Sequence, residues 1–410
     1  MPEAVTFSDV LDAQARISSG IVRTPCRRSP ALSEMLGCEV YCKAEYLQRT
    51  GSFKERGARN ALLLLSPAER RNGVVAASAG NHALALAYHG RELGIPVTVV
   101  MPMFAPLIKQ SGCRSLGAEL VLCGQNIGEA KVEADRMVLE RGLTYVHGFD
   151  GLNVIAGAGT LGLEIMEQVP EAEVLLVPVG GAGLIAGLGL AVKQVNPNVT
   201  VVGVETAGSA SYSAALAAGH PVPTEMQATL ADGLAVPQVG ANAFEIARRY
   251  VDRAVVVDEE SVALAILRLV EIEKGVVEGA GASPLAAMMA GACPEAAGKN
   301  VVLALCGGNI DPMVLGRVME NGLVADGRLA RFRAVISDRP GGLAQFCEVV
   351  AEAGASVKQI THERAFASAD VTRVEILCTV ETRSHVHIQQ LLDILRAKAF
   401  PCAEVPRQGI

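Results

Sequence analysis

Short apolar runs alternate with alanine- and leucine-rich stretches throughout residues 1–325. Uninterrupted apolar runs are typical of parallel strands that are buried on both faces. The stretches between them predict helices, including those at 81–93, 128–141 and 183–195. This alternation predicts an α/β fold built on open, twisted and mostly parallel sheets. The runs that we interpret as strands are 73–77, 97–102, 174–179, 199–204 and 301–305.

The α/β region separates into two units. We expect a small subdomain at about 50–150 and a large subdomain formed by 1–49 together with 151–325. A cleft between two such units is a common place for a small-molecule site.

The pattern changes after residue 328 and predicts a separate small α+β domain at 328–410. Its order is βαββαβ, with a helix that begins near Pro340 and ends at Gly354. We expect the segment 321–327, which reads NGLVADG, to be the linker. The other predicted elements are strands at 331–336, 355–363 and 370–381, a helix at 384–399, and a last short strand after Pro401.

The composition narrows the class of protein. The chain has 410 residues, enough for two or three domains, and half of its residues are hydrophobic. The net charge of -7 lacks the basic character of a nucleic-acid-binding protein. Bound anions must therefore be held by local features rather than by the overall field of the protein.

Neither a secretory signal pattern nor an uninterrupted apolar run of membrane-spanning length is evident. The ten cysteines are scattered, and none forms a C-x-x-C pair. We expect reduced thiols and a cytoplasmic location, with no membrane and no nucleic-acid partner.

The segment 50–58, which reads TGSFKERGA, places Lys54 directly after a Gly-Ser turn and at the start of a helix. A capped helix with a solvated lysine would explain this pattern. A Schiff-base lysine, whose amine is adjusted by burial, would explain it equally well.

The segment 77–83, which reads ASAGNHA, lies between a predicted strand and a predicted helix. Small residues there leave the first backbone N–H groups of the helix free to bind a carboxylate or another anion. The candidate binding residues are Ser78, Ala79, Gly80, Asn81 and His82. Asn81 could simply cap the helix, and His82 could be a core histidine.

A glycine-rich turn follows the next strand, and its amides could bind a phosphate group. It comprises Gly180, Gly181, Ala182, Gly183 and Leu184.

The same turn also fits a dinucleotide-binding fingerprint. The residues 181–186 match G-x-G-x-x-A, and Glu205 follows about twenty residues later. Taken alone, this segment favours a nicotinamide-dependent dehydrogenase. A fourth segment, 305–309, places Cys306 at the end of a buried strand, and by itself it reads as a turn with a buried thiol.

Together and in this order, the four segments resemble the fold-type II pyridoxal-phosphate enzymes, whose fold is that of the tryptophan synthase β-subunit. The resemblance is specifically to threonine/serine dehydratases, also called threonine ammonia-lyases. It implies that Lys54 is catalytic and holds pyridoxal 5'-phosphate, with Phe53, Asn81, residues 180–184 and Cys306 as further cofactor ligands. It also implies that residues 78–82 bind the substrate carboxylate.

The C-terminal 80 residues resemble an ACT domain, and the turn DRPGGL at 338–343 carries this resemblance. It implies an amino-acid effector, taken here as a branched-chain amino acid, allosteric control and a role in isoleucine biosynthesis. A homodimer or homotetramer is expected on the same basis.

The sequence departs from the family pattern at several positions. Ala182 and Ala158 replace a glycine and a glutamine, and 83–85 reads ALA where AQG is frequent. The stretch 206–211, TAGSAS, lacks the carboxylate that serves as a metal ligand in related racemases, so no divalent metal site is expected. A monovalent cation stays open.

The resemblance implies that L-threonine is converted into 2-oxobutyrate and ammonia, and L-serine into pyruvate. Ala79 replaces the serine that serves as the second acid/base in the resembling racemases, which argues against racemisation. A serine-specific dehydratase, a serine racemase and a threonine synthase remain alternatives of the same fold. A dehydrogenase or a non-enzymatic amino-acid sensor are more remote alternatives.

Overall fold

A computed structural model describes residues 5–363 and 372–405, and contacts divide the chain into two compact units, up to Leu315 and from Gly316 onward. The strands are β1 (Cys26–Arg28), β2 (Glu39–Ala44), β3 (Val74–Ala77), β4 (Val97–Met101), β5 (Glu119–Leu122), β6 (Thr144–Tyr145), β7 (Val174–Pro178), β8 (Thr200–Thr206), β9 (Arg253–Val257), β10 (Asn300–Leu305), β11 (Leu329–Ser337), β12 (Ser356–Glu363), β13 (Arg373–Glu381) and β14 (Cys402–Glu404).

Helices separate nearly all of these strands. They are α1 (Phe7–Ile17), α2 (Pro30–Leu36), α3 (Lys54–Leu63), α4 (Pro67–Asn72), α5 (Asn81–Leu93), α6 (Leu107–Ser115), α7 (Ile127–Arg141), α8 (Leu152–Gln168), α9 (Gly183–Val195), α10 (Ser211–Ala218), α11 (Ala241–Tyr250), α12 (Glu259–Arg268), α13 (Gly279–Met289), α14 (Pro312–Ala325), α15 (Gly342–Glu352) and α16 (His385–Ala397).

The first unit contains two sheets, as the alternation of apolar runs predicted. The six-stranded sheet has the order β1-β2-β10-β7-β8-β9 and is parallel except for the antiparallel pair β1–β2. The four-stranded sheet has the order β5-β4-β3-β6 and is wholly parallel. The N-terminal strands therefore belong to the larger sheet.

Burial explains why these runs are strands. All residues of β4 and β7 are buried, because helices cover both faces of each sheet. Helices α8 and α9 are buried along almost their whole length and pack against each other in the larger core. The carboxyl ends of parallel strands lie at one edge of a sheet, and here the loops after β3, β7 and β10 start from such ends.

The second unit has the predicted βαββαβ order. Its antiparallel sheet runs β12-β13-β11-β14, and β11 alternates buried and exposed residues as expected for a sheet with one covered face. Helices α15 and α16 supply Phe346 and Leu391 to a core that β11 and β13 complete. Residues 370 and 371 of the predicted strand 370–381 lie outside the described residues.

The segment predicted as the linker, 321–327, is helical for most of its length, because α14 continues to Ala325. The Asn-Gly pair at 321–322 favours a turn in isolation. In the structure, Val318 and Gly322 are four residues apart on the buried face of this helix. Packing of that face therefore outweighs the local turn preference.

Within the described part of the chain, no helix is both long enough and apolar enough to cross a membrane.

Candidate active site

Lys54 lies at the first position of α3 and is half-buried. Its Nζ donates a hydrogen bond of 2.6 Å to the carbonyl oxygen of Gly148. The preceding residue, Phe53, donates its backbone N–H to the carbonyl of Cys306 at 3.0 Å, and Ser52 forms a β-bridge with Gly307. The segment that carries Lys54 is thereby fixed to the end of strand β10.

The environment of Lys54 favours a neutral amine. Burial is the largest effect and lowers the pKa of Lys54 to about 8, while the nearby Glu278 and Cys306 oppose this change. At neutral pH roughly a tenth of an amine with such a pKa is deprotonated, far more than for an exposed lysine, so this fraction can act as a nucleophile or as a base.

The predicted anion-binding segment follows β3 and opens helix α5 at Asn81. Ser78, Ala79, Gly80 and Asn81 are half-buried, and the Gly80 N–H bonds the hydroxyl of Ser78 at 3.3 Å. The first N–H groups of a helix have no partner within the helix. This end of α5 therefore provides donors for a carboxylate.

His82, the last of the candidate residues in this segment, is buried. Its Nε2 is 2.9 Å from the carbonyl oxygen of Val146, whereas its Nδ1 has no hydrogen-bond partner among the described residues. Burial, reinforced by Lys54, lowers the pKa of His82 to about 3. The imidazole is therefore neutral, and Nε2 donates its hydrogen to the carbonyl of Val146.

The glycine-rich turn connects β7 to helix α9, which begins at Gly183. Ala182 adopts a left-handed backbone conformation with φ of 66°. A Cβ at Gly181 would lie 2.3 Å from the Phe149 ring, and a Cβ at Gly183 would lie 2.0 Å from the Phe149 carbonyl oxygen. Glycine at these positions lets the turn pack directly against residue 149, while the amides at the start of α9, which have no partner within the helix, are in the arrangement that typically binds an anion.

Cys306 follows the end of β10 and is 3% exposed. Its thiol donates a weak hydrogen bond to the carbonyl of Ala304 at 3.2 Å. Burial raises the pKa of Cys306 well above its ordinary value, so the group is a neutral thiol at every physiological pH.

The structure brings the four predicted segments together through residues that the sequence analysis did not identify. The loop after β6 supplies Gly148 to Lys54 and Phe149 to the glycine-rich turn. Asn309 and Glu278 both bond the side chain of Asn81. A carbonyl contact such as that of Gly148 has no sequence signature. Glu278 had a weak sequence signature, because it is a single carboxylate that follows two apolar residues and directly precedes the Gly-Ala pair at the start of α13.

Glu205, the acidic residue that the dinucleotide interpretation of the glycine-rich turn requires, is not available to a ligand. The Glu205 carboxylate is buried and accepts hydrogen bonds from the backbone N–H groups of Tyr212 and Ser213, at 2.7 and 2.8 Å. It therefore caps helix α10 and has no free face for a ribose hydroxyl. Among the described residues, no group of three or more His, Cys, Asp and Glu side chains is arranged to hold a metal ion.

Comparison with known proteins adds independent evidence. The family described as "Pyridoxal-phosphate dependent enzyme" matches residues 17–307. An L-threonine ammonia-lyase of Thermotoga maritima is 43% identical over 97% of this chain and 98% of its own length. Among solved structures, threonine deaminase isoform 2 of Solanum lycopersicum has a TM-score of 0.74 at 35% identity, covering 78% of this chain and 95% of its own. Serine racemase of maize has the same TM-score at 32% identity, covering 78% of this chain and 99% of its own.

Proposed function

The chain belongs to the family of pyridoxal-phosphate-dependent enzymes, and from this premise we propose that it is an L-threonine ammonia-lyase. The reaction converts L-threonine into 2-oxobutyrate and ammonia, and we expect L-serine to give pyruvate more slowly. The observation that carries the proposal is the half-buried Lys54 amine, held against the Gly148 carbonyl beside the end of β10.

The residues present fit pyridoxal phosphate. The Lys54 amine has the lowered pKa that a carbonyl-binding lysine needs. The turn at 180–184 offers free amides for the phosphate, and Cys306 offers an uncharged hydrogen-bonding group for a ring nitrogen. Phe53 and Asn81 would complete the set of residues that hold the cofactor.

Bound pyridoxal phosphate supplies an electron sink for the bonds at the amino-acid Cα. In our proposal, the substrate carboxylate binds the N–H groups at the start of α5, from Ser78 to His82. This contact places the substrate Cα near Lys54, whose neutral Nζ takes the Cα proton. A neutral Cys306 thiol would not hold a protonated ring nitrogen of the bound cofactor as a carboxylate would. This would favour loss of the β-hydroxyl as water, with the proton that Nζ has taken, over transamination.

Racemisation is the main competing reaction, since serine racemases share the fold. It requires a second acid/base on the face of the substrate opposite Lys54. Ala79 occupies the loop position where the resembling racemases have a serine, and its methyl group cannot transfer a proton. This residue supports elimination as the reaction of the site.

We further propose that residues 328–410 form an ACT regulatory domain. The βαββαβ order and the antiparallel sheet support this assignment. A branched-chain amino acid would act here by binding two states of the enzyme with different affinity. We also propose a homodimer or homotetramer in the cytoplasm, where the ten free cysteines would stay reduced.

The central test compares the visible absorption of the purified wild type and Lys54→Ala, before and after borohydride reduction. We expect a yellow wild type in which borohydride reduction leaves the pyridoxyl group attached to Lys54. The unreduced wild type should form 2-oxobutyrate from threonine, and Lys54→Ala should be inactive. Lys131→Ala is the matched control, because Lys131 forms an exposed ion pair with Asp135. A wild type that stays colourless with added pyridoxal phosphate would refute the proposal.

The regulatory proposal has its own test. Deleting residues 328–410 should abolish the response to isoleucine or valine while threonine turnover persists. An effector response that survives the deletion would show that the effector site lies elsewhere.

A further inference from the structure

The side-chain amide of Asn81 is held from both sides. Its Nδ2 donates to Oε1 of Glu278 at 2.7 Å, and its Oδ1 accepts from Nδ2 of Asn309 at 2.8 Å. The same Asn309 nitrogen donates to the carbonyl of Thr50 at 2.7 Å, in the segment that precedes Lys54. Because Asn309 presents its amide nitrogen and Glu278 an oxygen, only one orientation of the Asn81 amide satisfies both partners.

The backbone at Gly307 leaves room for the carboxylate of Glu278. It is 5% exposed, and its N–H donates to the carbonyl of Gly307 at 3.0 Å. A Cβ at Gly307 would lie 2.2 Å from Oε1 of Glu278, so this carboxylate fits only because residue 307 is glycine. The backbone N–H of Asn309 also acts on the carboxylate and lowers the pKa of Glu278.

We propose that Glu278 is a positioning residue of the active site, which fixes the Asn81 amide together with Asn309 and favours a positive charge on the Lys54 nitrogen. This inference rests on the proposed function. It assigns to Asn81 a single orientation in which one Nδ2 hydrogen stays available to a ligand. The N–H of Glu278 bonds the carbonyl of Gly307, which pairs with Ser52 two residues before Lys54. The inference therefore also gives this buried carboxylate an influence on the Lys54 charge that is secondary to burial.

Several charged groups set the ionisation of Glu278. Burial is the largest effect and, with Asp232, raises the pKa of Glu278 to about 7, while Lys109 and the hydrogen bond from Asn81 oppose this change. In turn, the Glu278 carboxylate raises the pKa of Lys54, as does the neighbouring Cys306. The carboxylate therefore supports a cationic Lys54 nitrogen above about pH 7 and loses that effect as it takes up a proton below this pH.

The test titrates the visible absorption of the enzyme loaded with pyridoxal phosphate against pH. Glu278→Gln keeps an acceptor for Asn81 but removes the charge. We therefore expect the midpoint pH for titration of the Lys54 nitrogen to fall by about one unit, a tenfold loss of its proton affinity. Asn309→Ala frees the other side of the Asn81 amide without changing a charge. For this variant we expect an unchanged midpoint and about tenfold weaker binding of pyridoxal phosphate.

Two further variants separate the positioning role from a structural one. Glu278→Asp keeps the charge and should restore a midpoint near that of the wild type, which also covers the case in which Glu278→Gln folds poorly. Glu205→Gln neutralises another buried glutamate, which caps α10, and should leave the midpoint unchanged.

The outcomes distinguish this inference from the proposed function. A wild type without a visible band or without threonine turnover would refute the proposed function itself. A yellow, active wild type with Glu278→Gln and Glu278→Asp midpoints both equal to its own would overturn the inference alone. A midpoint shift of the same size in Glu205→Gln would also overturn it, since the effect would then follow from any buried charge.

Discussion

Removing the charge of Arg56 should destabilise the unit that carries the active site. Arg56 is 1% exposed and lies two residues after Lys54 on α3. Its guanidinium forms paired hydrogen bonds with Glu45 and with Glu164, all at 2.8 Å. Lys43 donates to Glu164 at 2.8 Å, so the buried cluster of two cations and two carboxylates has no net charge.

The size of the effect follows from this balance. Arg56→Met leaves two carboxylates with one cation in the interior, and breaking a buried charge pair in this way costs about 3–5 kcal/mol. For the 315 residues of the first unit, the entropy of unfolding is about 0.7 kcal/mol/K. The midpoint of thermal unfolding should therefore fall by about 5–8 °C.

Thermal unfolding followed by circular dichroism measures this change. The control is Arg136→Met, because Arg136 also pairs with two glutamates but is half exposed, and no measurable shift is expected. The double variant Arg56→Met with Glu45→Gln restores neutrality and should be more stable than Arg56→Met alone. An Arg56→Met midpoint within about 1 °C of the wild type would refute the charge-balance reasoning.

Two more predictions concern the site. Gly183→Ala places a Cβ 2.0 Å from the Phe149 carbonyl, so we expect pyridoxal-phosphate binding at least about tenfold weaker by fluorescence titration; unchanged binding would contradict the packing argument. His82 has a pKa of about 3 when folded, so the unfolded chain takes up a proton first as pH falls. The stability due to its neutral burial is therefore complete above about pH 6.5 and is lost towards pH 3, by up to about 1.4 kcal/mol per pH unit. His82→Gln should flatten urea-unfolding stability between pH 4 and 6 relative to the wild type, and an equal slope would contradict this assignment.

The sequence predicted those parts of the fold in which burial produces a simple pattern of apolar residues. Strand β7 and helices α5 and α9 were predicted within one residue at each end, because continuous apolar runs and small-residue helices leave few alternatives. Strand β2 was missed, since Lys43 interrupts its apolar pattern. That lysine is buried because its charge is paired with Glu164, a residue 121 positions away, and no local pattern reveals such a partner.

The candidate site also contains residues with a local sequence pattern and residues that depend on distant partners. The loops at 78–82 and 180–184 were predictable, because small residues between a strand and a helix indicate a helix start with free amides. Gly148 and Glu278 were not predicted. Gly148 acts through a backbone carbonyl that every residue type has, and Glu278 acts through an Asn81 contact that spans 197 residues. Motifs therefore predicted candidate ligand-binding residues more readily than the residues that hold them in place.

Burial moves each titratable side chain of the site towards its neutral form. It lowers the pKa of Lys54 and of His82, and it raises that of Cys306 and of Glu278. His82 and Cys306 are neutral near pH 7, the charges of Lys54 and Glu278 change with pH around this value, and the net charge of -7 adds no attraction for an anion. In our proposal the phosphate and the substrate carboxylate are bound by the N–H groups at the starts of α9 and α5, whose partial charges do not titrate. The contribution of these N–H groups to anion binding should consequently stay constant over the pH range in which the Lys54 nitrogen gains and loses its proton, which lets one site hold a charged substrate and still take a proton from its Cα.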